Sequence, residues 1–138
     1  MMGEPFPEHF VTQDRIAVQL EHRLLRGIVG HLPAGSVVVD VGCGTGDALS
    51  MLARACPGLT LEGVEPHPQM RAEAERSLGE WATLTAGDHR DVGPAKDLIY
   101  TTRALIQLPS WDAQMAAIAR LGERLVTDGL LLCIENNA

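Results

Sequence analysis

Two hydrophobic rhythms alternate along this chain. Residues 10–31 place Ile16, Leu20, Leu24 and Ile28 at steps of four, with Arg15, Glu21 and Arg26 elsewhere, which predicts a helix that Pro33 and Gly35 end. Residues 1–8 hold Pro5 and Pro7 and read as an irregular arm. Residues 36–41, SVVVDV, form a continuous β-branched run, the pattern of a strand buried on both faces. A helical stretch at 48–55 closes before Pro57-Gly58, and a second strand is expected at 59–64. A charged helix over 68–78 stops at Gly79, a third strand spans 81–85 and a fourth 97–101. Residues 111–126 read as an amphipathic helix with Met115, Ile118, Ala119, Leu121 and Leu125 on one side. A fifth strand at 130–134 is entered through Asp128-Gly129. Strands alternating with helices imply right-handed crossovers and a parallel sheet. The expected fold is α/β: a doubly wound, mostly parallel five-stranded sheet in the order 3-2-1-4-5 with flanking helices. Ligands of such sheets bind beyond the carboxyl ends of the strands, beside strand 1.

The segment Val38-Val39-Asp40-Val41-Gly42-Cys43-Gly44-Thr45-Gly46-Asp47 sits at that place, running from a strand through a tight turn into a helix. Glycines let the backbone take positive φ and let a ligand approach the main chain. The helix start offers free N–H groups that suit an anionic group such as a carboxylate. Dinucleotide sites read G-x-G-x-x-G. Here the spacing is G-x-G-x-G, and Asp47 at the helix start repels a pyrophosphate. A sulfonium amino acid carries no phosphate and tolerates nearby carboxylates. Glu65 ends the second strand, 19 residues after Gly46, where an acid accepts from two ribose hydroxyls. Asp88, in Ala-Gly-Asp-His after the third strand, reads either as an acceptor for an adenine amino group or as a turn Asp capping the next segment. Met70 packs on an adenine face or fills core.

Composition narrows the partners. The 138 residues fit one domain, 1–138, and at 46% apolar they can bury a core. A net charge of −7, one lysine (Lys96) and scattered arginines leave no basic stripe, which disfavours nucleic acid as the main partner. Cys43, Cys56 and Cys133 lack paired spacing and read as free thiols in a reducing compartment. The acidic N-terminus is not a signal peptide and no run is long enough to span a bilayer, so the expectation is a soluble cytoplasmic protein with no membrane partner. His9, His22 and His31 make no metal-ligand spacing, so no metal is expected.

With these residues in place, the chain resembles the class I, Rossmann-like methyltransferases that use S-adenosylmethionine. VVVDVGCGTGDALSMLA is similar to the family's first motif, LTLEGVEPHPQM to its ribose-binding segment and AGDHRDV to its adenine-binding segment. DLIYTTRALIQLPSW is similar to the fourth strand and following loop, and LGERLVTDGLLLCIE to the last helix and fifth strand, so the likeness covers about residues 10–135. It implies S-adenosylmethionine as cofactor, S-adenosylhomocysteine as product and a small-molecule methyl acceptor. It implies that Gly42, Cys43, Gly44 and Gly46 shape the loop around the methionine part, and that Asp40 orients the loop and reaches the ammonium through water. Glu65 and Pro66 would then sit at the ribose, Met70, Asp88 and His89 at the adenine, and Thr102 and Arg103 along the methyl-donor side.

The family continues beyond the fifth strand, whereas this sequence stops at Glu135-Asn136-Asn137-Ala138, which reads as a truncated or minimal form. The apolar LLLCI strand is then an open edge, and a homo-oligomer, a dimer or larger, is expected through it. His89, Arg103 and Glu135 are the candidates for a chemical role. Their ordinary readings are a solvated His, a surface Arg opening a helix and a terminal Glu, and no base–orienter pair is visible. The expected function is methyl transfer to a small molecule. The alternative is a non-catalytic domain that binds the same cofactor or its product as sensor, scaffold or dimerisation module. A nicotinamide-binding domain is disfavoured by the glycine spacing and Asp47.

Overall fold

A computed structural model describes residues 15–135. The proposed arm at 1–8, residues 10–14 of the first expected helix, and His9 lie outside the described residues. Helix α1 (Arg15–Val29) leads into β1 (Val37–Val41), followed by α2 (Asp47–Ala55), β2 (Thr60–Glu65), α3 (Pro68–Leu78), β3 (Ala82–Ala86), β4 (Lys96–Thr102), α4 (Trp111–Gly122) and β5 (Leu125–Ile134). Short 3-10 turns occupy Gly79–Trp81, His89–Asp91 and Leu105–Gln107. The sheet has five strands in the order β3-β2-β1-β4-β5, and every pairing is parallel, as the alternating pattern predicts.

Side chains on alternate positions of β1 and β4 feed two cores. Val38, Leu98 and Tyr100 pack with Leu25, Val29, Leu49, Leu52 and Ala74 from α1, α2 and α3. Val39, Val41 and Ile99 face the other way and pack with Val92 and with Leu121 of α4. Each fully buried Leu or Val contributes about 1.5–3 kcal/mol of transfer free energy. Asp40 falls on the first face, among apolar neighbours, because its register position alternates with Val39 and Val41.

Gly63 explains how α2 comes so close to the sheet. A Cβ there would stand 2.8 Å from Leu49 Cδ1 and from Leu84 Cδ2 and 2.9 Å from Cys43 Sγ.

Three expectations need correcting. Of the line Ile16, Leu20, Leu24 and Ile28 only Ile28 packs against the core: the other three side chains are exposed, and Leu25 and Val29 are the buried residues of α1. The inward face of α1 includes polar groups because it borders a cavity, so hydrophobic periodicity alone chose the wrong side. Helix α4 ends at Gly122 rather than at 126, and of its expected apolar side Leu121 is buried while Met115 is exposed. The chain after Gly122 turns into β5 early, because Leu125 already pairs with Lys96. Asp128, at φ +66°, sits in an irregularity that shifts the β4–β5 register before Leu98 pairs with Leu130.

Candidate active site

The parallel order leaves a crevice beyond the carboxyl end of β1, and a cavity of about 940 Å³ lies there. Of the residues that the sequence nominates, Asp40, Gly42, Cys43, Gly44, Glu65, Pro66, Met70, Asp88, His89, Thr102 and Arg103 line it. Gly46 and Glu135 are not among the lining residues. Gly46, at φ +88°, caps α2 and is packed against α3, where a Cβ would stand 3.0 Å from Leu78 Cδ1.

The glycine loop is held from below and from the side. Val64 O of β2 accepts from Gly42 N at 2.7 Å and Cys43 N at 3.1 Å. Glu65, buried at 6% exposure, accepts Gly44 N on Oε1 at 2.8 Å and His67 N on Oε2 at 2.9 Å. One carboxylate thus joins the loop after β1 to the start of α3. A carboxylate offers about four lone-pair directions, so two remain for a ribose diol. Gly44 takes φ +57°, and a Cβ built there meets nothing within 4 Å, so the backbone faces open space at the point a ligand must approach.

Asp40 is 3% exposed, and its Oδ1 has no hydrogen-bond partner. Burial pushes its carboxyl up from 3.8 to about 7; the neighbouring Tyr100 hydroxyl opposes this, and the Glu65 charge adds to it. Tyr100 stands beside Asp40, yet its hydroxyl also lacks a hydrogen bond of ordinary geometry. The pair is a buried polar defect at the cavity wall, and such defects ask for a further partner. Burial, with the Asp40 and Glu65 charges, holds the Cys43 thiol far above its ordinary range, so it stays protonated.

Asp88 caps the segment that follows it and also lines the cavity. Its Oδ1 accepts from Arg90 N at 2.9 Å, capping the 3-10 turn, and its carboxylate also binds the Arg90 guanidinium, with Oδ2 2.8 Å from Nη2. That guanidinium lowers the carboxyl's pKa. His89 Nδ1 lies 3.9 Å from Asp88 Oδ1, too long for a hydrogen bond, so Asp88 does not orient it as a base.

Arg103 is not a surface residue opening a helix. It adopts φ +54°, donates its N–H to Ile134 O at 3.0 Å, and pairs its guanidinium with Glu21 of α1. Glu135 leaves the site for a structural post: Oε2 accepts from Thr101 Oγ1 at 2.9 Å and Oε1 from Ile106 N at 2.8 Å. It ties the loop beyond β4 to the end of β5. Sequence reasoning missed the contribution of α1, whose Val18, Glu21, His22 and Leu25 line the cavity. It also missed the wall made by residues 104–108. The charged members of α1 were hidden behind an apolar stripe that claimed the inner face.

Among the described residues no group of three or more His, Cys, Asp or Glu side chains could hold a metal ion. Among them, too, no helix is long and apolar enough to cross a membrane.

Known proteins share this fold. Residues 38–129 match the family described as "Methyltransferase domain". A trans-aconitate 2-methyltransferase of Deinococcus radiodurans is 32% identical over 109 residues, which is 79% of this chain and 41% of that protein. The S-adenosylmethionine-bound structure of CalS10, an amino pentose methyltransferase from Micromonospora echinaspora, superposes with a TM-score of 0.67 at 26% identity, covering 96% of this chain and 58% of that one. The structure of magnesium protoporphyrin IX methyltransferase from Synechocystis, also with bound S-adenosylmethionine, gives a TM-score of 0.71 at 25% identity over 89% of this chain and 62% of that one. The chain therefore spans about half the length of the relatives it matches, 41% of the Deinococcus protein and 58–62% of the two solved structures. It belongs to the methyltransferase domain family, the class I Rossmann-like fold whose cofactor is S-adenosylmethionine.

Proposed function

We propose that this chain binds S-adenosylmethionine in the cavity beyond β1 and serves the transfer of its methyl group to a small-molecule acceptor. The observation that carries the reading is the convergence of an open glycine backbone at Gly44, the spare acceptor capacity of Glu65 and the unpartnered oxygen of Asp40 on one cavity. Bound there, the cofactor supplies a methyl group activated by a sulfonium. Glu65 holds the ribose hydroxyls while fixing the loop. The N–H groups at the start of α2 receive the amino-acid carboxylate, and Asp40 answers the ammonium. Met70 and the Asp88–His89 segment flank the adenine, and Asp88 accepts from its amino group with the lone pairs that Arg90 leaves. Thr102 borders the methyl-donor side. Methyl transfer is an in-line displacement, so the protein's main contribution is alignment. The reading extends to a cytoplasmic protein that pairs with a second copy through the β5 edge.

Calorimetry with S-adenosylmethionine, S-adenosylhomocysteine and NADH tests the cofactor. The first two should bind and the third should not. Glu65→Ala removes the ribose acceptor and strands two backbone N–H groups, so it should weaken cofactor binding at least tenfold and lower stability by about 2–4 kcal/mol. Unchanged affinity in a folded variant would rule out the ribose assignment.

A second reading, a non-catalytic binding domain, draws support from the engagement of Glu135 by Thr101 and Ile106 and of Asp88 by Arg90, which leaves His89 without an oriented partner. Labelled methyl donor incubated with a metabolite extract separates the two: transfer supports the enzyme, and tight product binding without transfer supports the sensor or scaffold.

A further inference from the structure

The charges around the cavity are unevenly placed. Among the described lining residues five are acids, Glu21, Asp40, Asp47, Glu65 and Asp88, and Arg103 is the one Lys or Arg. Four of the acids lie near the carboxyl ends of β1, β2 and β3 or just beyond them, Asp40 and Glu65 within their strands and Asp47 and Asp88 after theirs, the side assigned above to the cofactor. That side suits a ligand with an ammonium and a sulfonium. Arg103 stands at the opposite side, just after β4, and its guanidinium is already bound to a carboxylate, that of Glu21 on α1. The two residues are 82 positions apart in sequence, so the pair joins two walls of the cavity rather than stabilising one helix. The Glu21 side chain is 12% exposed and that of Arg103 30%, so the pair is partly shielded from water but reachable from the cavity.

Resting on the methyl-transfer reading, we propose that Arg103 is the anchor for a carboxylate of the methyl acceptor, and that Glu21 occupies this subsite as an internal competitor until the acceptor displaces it. The planar guanidinium fork matches a carboxylate in a way that an ammonium does not. Exchanging one carboxylate for another leaves Arg103 paired throughout, and the cost of the exchange falls on Glu21, whose carboxylate must turn into the water of the cavity. A neutral ligand of the same shape has no such exchange to offer, because it would break the existing pair without replacing it. Glu21 thereby rejects uncharged molecules and sets a threshold for anionic ones. The left-handed backbone of Arg103, fixed by its N–H bond to Ile134 O and by Gln107 Nε2 donating to its carbonyl at 3.1 Å, keeps the side chain rooted while its partner changes.

The test follows the Arg103 Nε–Hε signal by NMR in the full chain saturated with S-adenosylhomocysteine, titrated with succinate, with citrate and with their neutral methyl esters. The acids should shift the signal and the esters should not. Glu21→Gln should tighten acid binding about tenfold by removing the competitor. Arg103→Ala should abolish the preference for acids over esters, read from ligand-observed signals, and Arg103→Lys should restore part of it. If the pair served only to fasten α1 to the loop beyond β4, Glu21→Gln and Arg103→Ala would change ligand binding in the same direction. That outcome, or equal response to acids and esters, overturns the proposal while leaving the cofactor reading intact. Failure of S-adenosylhomocysteine to bind the unmodified chain overturns the cofactor reading and this proposal with it.

Discussion

Asp40 concentrates the conflict between folding and binding at the scale of one residue. In the unfolded chain its carboxyl loses its proton near 3.8, whereas burial keeps the proton on until about pH 7 in the folded chain. Between those values the folded state binds more protons than the unfolded one, so the Asp40 contribution to stability falls as pH rises and levels off above about 7. The loss is on the order of a few kcal/mol, since each unit of pKa displacement is worth about 1.4 kcal/mol. Asp40→Asn removes this slope. The variant should therefore unfold at a higher temperature than the unmodified protein at pH 8, and close to it at pH 4, in thermal melts without ligand. The same charge favours a cationic ligand. Cofactor affinity should rise with pH by up to tenfold per unit below pH 7 and then flatten, with a proton released on binding. Calorimetry in buffers of different ionisation enthalpy reads that proton; affinity independent of pH from 5.5 to 8 would remove Asp40 from the ammonium site.

Among the elements, the loop beyond β4 depends on Glu135, a residue that the sequence offered both as a candidate for a chemical role and as an ordinary terminal Glu. Glu135 joins Thr101 on β4 to Ile106 in the 3-10 turn, and that turn walls the cavity. Glu135→Ala should leave the sheet folded but release the turn, which amide exchange reads as a selective loss of protection at Ile106. Protection unchanged at Ile106 would show that the turn holds without the carboxylate. Glu135 illustrates what was legible and what was not. Strand order, the glycine loop and the positions of Glu65 and Asp88 follow from local pattern, because period, turn chemistry and chain order are written in neighbouring residues. The partners of Glu135, Arg103 and Asp88 are side-chain choices among several reachable groups, and only packing decides them. The face of α1 was misread for a related reason. Its apolar step-of-four line is regular, but a helix that borders a polar cavity turns Glu21 and His22 inward, and Ile16, Leu20 and Leu24 are left in solvent.

For the whole molecule, the asymmetry of the sheet sets the last expectation. Among the described residues β3 and β5 are the two edge strands, each paired with one neighbour, and β5 is the longer at 10 residues against 5. Along it Leu130 is 50% exposed, and Val126 and Cys133 are also exposed. A strand edge of this length offers a row of unpaired N–H and C=O groups beside apolar side chains, a combination that natural proteins cover or blunt with charge. β5 carries a partial device of that kind, since Asp128 and its register irregularity bend the first half of the strand. Among the described residues the regular half, from Leu130 onward, carries no such device. Light scattering over a concentration series should therefore find this chain self-associated, with mass falling on dilution. Leu130→Lys places a charge on the edge without touching the cavity, and should shift the population to monomer while S-adenosylhomocysteine still binds. A monomer at every concentration tested would mean that α4 and the twist of the sheet shield β5 well enough alone. In that case the exposed leucine is an ordinary surface residue.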